Sequence, residues 1–391
     1  MVQKSKPRAE NKKPLSILDH HIKTLEALEG KASEKTARAL FDLQRGLTGE
    51  RVLAGQGYMD NARLLDAYVA YYFPVSYQQI SHAAKHICTK KSEVNILDFG
   101  CGPGAASAAV IDKIRSGNPE CKISLVLIDA SESALKTAVA FFKAEYKNIK
   151  VKAIKSNFEK ESVVDALKKA EISERFDIGV SCHLFNELWK DKSDKIERRT
   201  AFAESALSAL KDDGEMILCE PSLLETSRAL IAVRDKIVEH GFFVKAPCPS
   251  CHACPALKAG ENHTCHAEYP VEDAGSIAYL AKKAKLDRTS VKMTYFVFSK
   301  SEAKHEENAE TDAKSLKAIV VSDAMLNKAG RIRFILCDGE KRIAVSAKKD
   351  DERAKKIGFF DLKRMDFVQF SNLEERGEAF GIKSESTLKH F

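Results

Sequence analysis

Five short apolar runs alternate with helix-forming stretches across the first half of the chain, and this alternation restricts the fold more than any other property of the sequence. The runs are Asn95 to Phe99, Ile123 to Ile128, Lys150 to Ile154, Phe176 to Val180 and Glu215 to Cys219. Short apolar runs of this length suit buried parallel strands. Between them, Ala105 to Arg115 and Ser133 to Ala144 have helical spacing. Strand, helix and strand in succession imply right-handed crossovers, so the expected fold class is α/β with a doubly wound parallel sheet. After a helix around Leu224 to His240 come Phe242 to Lys245 and Val291 to Ser299, expected as antiparallel sixth and seventh strands.

With 391 residues the chain exceeds what one core organises. Leu15 to Cys88 carries apolar residues at helical spacing, among them Ile22, Leu25, Leu65 and Tyr68, and predicts a helical cap in which Pro74 breaks the pattern. Ser299 to Lys314 has a charged linker composition. Beyond it, Ala318 to Val321, Arg331 to Cys337 and Arg342 to Ser346 read as strands, the last two joined at Asp338-Gly339. The expected division is a basic arm and cap over 1–91, a ligand-binding domain over 92–300 with a cysteine-rich insertion at 246–270, and a small β module over 315–391.

Asp98-Phe-Gly-Cys-Gly-Pro-Gly104 follows the first predicted strand and opens a predicted helix. Gly100, Gly102 and Gly104 let the backbone turn sharply and approach a ligand without Cβ interference. Asp98 can accept a hydrogen bond from a ligand ammonium or a bound water. Asp129 closes the second strand, where a carboxylate can take both hydroxyls of a ribose. Nucleotide dehydrogenases place an acid there too, but Gly-Cys-Gly-Pro-Gly is closer to the S-adenosylmethionine signature than to a pyrophosphate loop. Asn157 follows the third run and can bond an adenine amine or satisfy its own loop backbone.

The fourth run ends in Ser181-Cys-His-Leu-Phe-Asn-Glu187, where the transferable methyl group lies in folds of this kind. Ser181, His183, Asn186 and Glu187 are its polar groups, and Ser181 is the further candidate for donor binding. Methyl transfer displaces an activated sulfonium, so positioning does most of the work. The sequence contains neither an Asn-Pro-Pro-Tyr motif for exocyclic amines nor a Pro-Cys pair suited to attack on a pyrimidine. Cys182 and Cys219 read as buried core thiols.

Four of the ten cysteines, Cys248, Cys251, Cys254 and Cys265, fall in one short stretch. No apolar signal segment precedes the first predicted helix, so the chain is expected not to be secreted and its thiols to stay reduced. Clustered reduced thiols point to metal, either an iron–sulfur cluster or zinc with help from His252, His263 or His266. Cys337 reads as a half-buried strand residue that can replace one local sulfur if the β module folds back.

These motifs together resemble the methyltransferase-like family associated with the mitochondrial small ribosomal subunit, which also has bacterial members. The likeness rests on Ala67-Tyr-Val-Ala-Tyr-Tyr-Phe-Pro-Val-Ser-Tyr77, the glycine loop, Asn186-Glu187-Leu188, Glu220-Pro221, the cysteine stretch and Leu336-Cys-Asp-Gly339. The resemblance implies a four-iron cluster (4Fe-4S) on Cys248, Cys254, Cys265 and Cys337, with Cys251 as a competing fifth thiolate. It also implies S-adenosylmethionine as cofactor and binding to small-subunit ribosomal RNA during assembly; because no run approaches membrane-spanning length, no membrane association is expected, and the chain is expected to be a monomer. The compartment depends on the source: the cytoplasm is expected for a bacterial one and the mitochondrion for a eukaryotic one.

A net charge of +7 permits a polyanionic partner without requiring one. Lys341 to Arg364 is denser, with nine basic against four acidic residues, and is the candidate RNA-facing surface. A solvated charged face has the same composition. The alternative functions are a zinc-stabilised methyltransferase acting on a small molecule or protein, and a non-catalytic binding module that keeps the donor fold as a scaffold.

Overall fold

The computed structural model describes residues 16–29, 32–49, 53, 57–87, 90–272, 276–286, 288–301 and 315–391. The basic arm at 1–14 and all but the first three residues of the charged stretch at 299–314 lie outside the described residues.

All the predicted apolar runs form strands: β1 (Glu93–Phe99), β2 (Lys122–Asp129), β3 (Ile149–Lys155), β4 (Phe176–Cys182), β5 (Leu210–Pro221), β6 (Phe243–Ala246) and, after a short β7 (Ala267–Pro270), β8 (Ser290–Ser299). The spatial order is β3-β2-β1-β4-β5-β8-β6, with β7 beside β8. β1 to β5 pair in parallel. β8 is antiparallel to both β5 and β6. β6 therefore points with β1 to β5, which corrects the expectation that both late strands run antiparallel. The helix between β5 and β6 makes one more crossover of the ordinary kind, and only β8 enters from the opposite end. This is the class I methyltransferase arrangement, and its strand order reverses between β1 and β4. At that switch point the crossovers leave in opposite directions and open a crevice at the strand ends.

Helices cover both faces. One face carries α1 (Ile17–Glu29), α2 (Glu34–Gln44), α3 (Ala62–Ala67), α4 (Phe73–Ala83), α5 (Ala105–Gly117) and α6 (Glu132–Glu145); the other carries α7 (Val163–Lys169), α8 (Lys195–Ser208) and α9 (Leu224–Glu239). Ile96, Leu97 and Phe99 of β1 are all fully buried, as a strand with two covered faces requires.

The break expected at Pro74 does not occur. Residues 62–83 continue through a π turn at Tyr68–Tyr72 into α4, where Pro74 occupies the first turn. The wider π turn just before Pro74 accommodates its ring without ending the helix. His21 of α1 is buried between two carboxylates, with Nε2 2.7 Å from Asp112 of α5 and Nδ1 2.7 Å from Glu145 of α6. This contact fixes the cap to the core.

The C-terminal residues form a second sheet from β9 (Ser315–Val320), β10 (Met325–Leu326), β11 (Arg331–Cys337), β12 (Arg342–Lys348), β13 (Phe367–Ser371), β14 (Glu374–Arg376), β15 (Ala379–Gly381) and β16 (Thr387–His390). Phe334, Phe359 and Phe370 are at the centre of its own core. The hairpin joining β11 to β12 turns at Asp338-Gly339, with Gly339 at φ +100°.

Candidate functional site

The glycine loop hangs from the end of β2. Gly100 and Cys101 donate to the Ile128 carbonyl at 2.8 and 3.1 Å, and Gly102 N–H donates to Asp129 Oδ2 at 2.8 Å. Gly100 and Gly104 take left-handed backbone at φ +74° and +94°. A Cβ on Gly100 would lie 2.8 Å from Leu184, and one on Gly104 would lie 2.5 Å from the Phe142 ring. Only glycine meets both demands.

A cavity opens over this loop at the switch point. Its walls include Gly100, Gly102, Asp129, Asn157, Cys182 and His183, and Tyr58, Met59 and Asp60 close one side. Asp129 Oδ1 accepts from Ser131 N–H at 2.9 Å, and each carboxylate oxygen keeps a further lone pair for a ligand hydroxyl. Burial raises its pKa against the backbone N–H bonds that stabilise the charge. Asn157 uses Oδ1 locally, accepting from Glu159 N–H at 2.9 Å.

Asp98, Gly104 and Ser181 are not on the cavity wall. Asp98 is fully buried and accepts from Ser107 Oγ at 2.6 Å, which orients the start of α5, while its Oδ1 has no partner. Burial pushes this carboxyl up to about 7, with Ser107 opposing. Ser181 Oγ is also buried without a partner.

Residues that sequence reasoning missed shape the rest. Asp60 Oδ1 accepts from Ser131 Oγ at 2.7 Å, joining the turn at Tyr58–Asp60 to the start of α6. Tyr58 donates to Glu187 at 3.3 Å across the cavity. Glu220, in the β5 tip, accepts from Phe185 and Asn186 N–H groups at 2.8 and 3.1 Å and so shapes the loop after β4. Burial pushes the Glu220 carboxyl up to about 7. Glu220-Pro221 could have signalled this role, but nothing marked Asp60.

A second cavity adjoins the first. Tyr58, Tyr68, His183 and Glu187 belong to both, and Tyr72, Gln79, Asn186, Lys285, Arg288 and Lys292 extend the second. Tyr68 and Tyr72 lie with ring centroids 5.2 Å apart. The combination is an aromatic wall with a cationic rim.

The other notable group lies at the far edge of the sheet. Cys248 and Cys254, in the loop after β6, Cys265, just before β7, and Cys337, ending β11, line one hollow with His252 and His266 on its wall. Two distant parts of the chain thus bring four thiols together. Among the described residues, no three of these ligand atoms come within 4.8 Å of one another. Cys251 is not on this wall; its Sγ accepts from Val244 N–H at 3.4 Å.

Arg234 of α9 is 1% exposed and holds the loop, donating to Ser250 carbonyl oxygen at 2.7 Å and to that of His252. Its neighbour Asp235 accepts from Cys254 N–H at 3.0 Å. Burial pushes the Cys265 thiol up to about 12, with Cys254 adding to it, and raises Cys248, Cys254 and Cys337 as well. A bound metal must therefore displace their protons. Gly339 packs so closely on this loop that a Cβ would lie 2.2 Å from Ser250 Oγ, and Arg342 donates to the Thr264 carbonyl.

Structural comparison returns methyltransferases. A Listeria monocytogenes protein assigned to the class I S-adenosylmethionine-dependent methyltransferases overlaps with TM-score 0.39 at 12% identity, covering 75% of this chain and 88% of that one. A Pyrococcus furiosus methyltransferase gives 0.35 at 14%, covering 59% and 83%. Precorrin-6y C5,15-methyltransferase of Geobacter metallireducens gives 0.33 at 13%, covering 57% and 88%. These overlaps are loose, and the strand order rather than any superposition defines the fold. No curated protein matches the sequence. The family model described as mitochondrial small ribosomal subunit Rsm22 matches residues 63–356, three-quarters of the chain and both the glycine loop and all the clustered cysteines. This chain belongs to the Rsm22 family.

Proposed function

We propose that this protein is an S-adenosylmethionine-binding factor of the small ribosomal subunit that contacts ribosomal RNA, carries a four-iron cluster, and transfers methyl to an RNA nucleotide. The observation that carries the reading is the junction of the two cavities at Tyr58, Tyr68, His183 and Glu187, where a donor and an acceptor can meet.

On the donor side, Asp129 takes the ribose hydroxyls and Asn157 the adenine edge, while the glycine loop lets the ligand approach the backbone. Asp98 and Ser181 support the floor from beneath. On the acceptor side, tyrosine rings suit a nucleobase and Lys285, Arg288 and Lys292 suit phosphate. The exposed lysines of the C-terminal module, Lys341, Lys348, Lys349, Lys355, Lys356 and Lys363, add a backbone-tracking surface. Positioning supplies most of the rate for such a displacement, and Glu187 at the junction can accept a proton from the acceptor.

Cys248, Cys254, Cys265 and Cys337 line one hollow and are the thiols that would hold the cluster. When bound, the cluster staples the C-terminal module to the sheet. Arg234 and Arg342 place positive charge beside it. Family membership supports a mitochondrial location for a eukaryotic source; a cytoplasmic location for a bacterial source and action as a monomer are parts of the same proposal.

The test is crosslinking of the purified protein to RNA, with sequencing of the attached fragments and analysis for iron and acid-labile sulfide. Small-subunit ribosomal RNA fragments and a brown, iron-containing protein are expected. Absence of salt-dependent RNA retention overturns the RNA assignment, and absence of iron and sulfide overturns the cluster.

A further inference from the structure

A second group of sulfur and nitrogen ligands lies at the switch point itself, against the donor cavity, and has been given no metal role above. Cys182 ends β4 and Cys219 lies opposite it in β5, in direct parallel register, so both side chains leave the sheet on the same face. His183 then turns the chain with φ +64°, its N–H donating to the Cys219 carbonyl at 2.8 Å. That turn brings its ring back over the two sulfurs. The Sγ of Cys182, a ring nitrogen of His183 and the Sγ of Cys219 all lie within 4.8 Å of one another, and among the described residues no other set of three such ligands is as tight.

One buried nitrogen here lacks a partner: His183 Nε2 has no hydrogen bond. Ser76 Oγ, on the same cavity wall, faces the Cys182 sulfur. A buried polar atom left unpaired costs about 1–3 kcal/mol, so this nitrogen beside two sulfurs points to a missing ligand.

We propose that Cys182, His183 and Cys219 form a metal site for a thiophilic divalent cation, zinc first, with its open coordination position on the donor cavity. Two sulfurs and one imidazole are a soft set that selects zinc over magnesium or calcium. Two thiolates also neutralise a divalent ion, which suits a buried location. Three protein ligands leave one position free, the arrangement of zinc sites that bind a water or a substrate atom rather than merely hold a fold. Cys182 and His183 are on the cavity wall and Cys219 is behind them, so the free position opens toward the ligand space. The ligand taken there is a water or a nucleophilic sulfur, nitrogen or oxygen of the bound molecule. This site does not depend on the RNA reading or on the cluster.

The test starts with full-length protein carrying Cys254→Ser and Cys337→Ser, in which the four-thiol hollow cannot assemble a cluster. Titration with cobalt(II) is expected to give one equivalent with tetrahedral d–d bands and thiolate-to-cobalt charge transfer, both lost on adding Cys182→Ser or His183→Asn. Asparagine tolerates the left-handed backbone at that position. A parallel measurement on unmutated protein follows alkylation of Cys182 by mass spectrometry, where zinc is expected to slow labelling at least tenfold and a chelator to restore it. Cobalt bands that persist in the triad variants, or equal labelling with and without zinc, overturn the proposal. A Cys182–Cys219 disulfide, or a metal-free thiolate–imidazolium pair, would appear as one of those two results.

Discussion

The two sulfur-rich regions are built in opposite ways. At the switch point, Cys182 and Cys219 are register partners in neighbouring strands, and the sheet alone sets their distance. At the sheet edge, Cys248, Cys254 and Cys265 come from loops and Cys337 from another sheet, so the hollow exists only while the C-terminal module is docked. A site fixed by backbone pairing survives loss of its ligand, whereas one assembled from separate modules depends on it. The difference predicts where substitutions act locally and where they take a whole module with them.

The largest effect is expected from Cys254→Ser or Cys337→Ser. Structural metal binding contributes on the order of 10 kcal/mol in small domains, so if the proposed cluster is bound, removing one of its ligands should abolish the visible absorbance and release the C-terminal module to proteolysis. Cys251→Ser should leave both unchanged, because that sulfur pairs with the β6 backbone. Equal loss of absorbance in the Cys251 variant would falsify the ligand set.

Next is the docking contact itself. In Gly339→Val a side chain is placed against Ser250 and left-handed backbone at φ +100° is forced on a β-branched residue. A cost of about 3 kcal/mol is expected. Iron content should fall together with thermal stability, even though Gly339 touches no metal. A variant that keeps full iron would show that the module docks without this contact.

At the switch point, effects should stay local. Gly104→Ala drives a Cβ into Phe142, which α6 holds rigidly, at a backbone φ of +94°. It should cost about 1–3 kcal/mol and weaken S-adenosylmethionine binding, measured by calorimetry, while leaving the iron content intact. Loss of iron in this variant would break the separation between the two regions.

The same contrast explains what could be read in advance. The β1–β5 runs and the glycine loop are legible because strand burial and backbone turns leave local signatures in residue type. Asp129 is legible through its place at a strand end. Asp60 and Tyr58 are not, since they reach the pocket from a helical cap whose docking no local pattern encodes. Cys182 read as a core thiol because a single apolar-looking cysteine does not announce its register partner, and the pairing with Cys219 is a tertiary fact. The wall position of Cys337 depends on the β module folding back, which no local pattern decides. Arg234 and Asp235, which hold the cysteine loop, look in sequence like ordinary charges of an amphipathic helix.

The smallest predicted effect concerns the cap, through His21. Burial opposes its charge, but Asp112 and Glu145 together outweigh burial and raise its pKa above the usual value. The groups facing it are those two carboxylates, the Tyr77, Phe141 and Tyr146 rings, and exposed His20, which reaches Glu145 at 3.4 Å. Because the folded state holds this proton more tightly, the stabilisation is fully present below the unfolded pKa of about 6.5 and is lost as pH rises through the higher folded pKa. The stability difference between the unmutated protein and His21→Gln should therefore be greatest in mildly acidic solution and shrink toward alkaline pH, by about 1 kcal/mol in chemical denaturation. A difference that grows with pH would mean that the imidazole is neutral between its two acids. In that case the cap is held by hydrogen bonds of a neutral ring to Asp112 and Glu145 rather than by an ion pair.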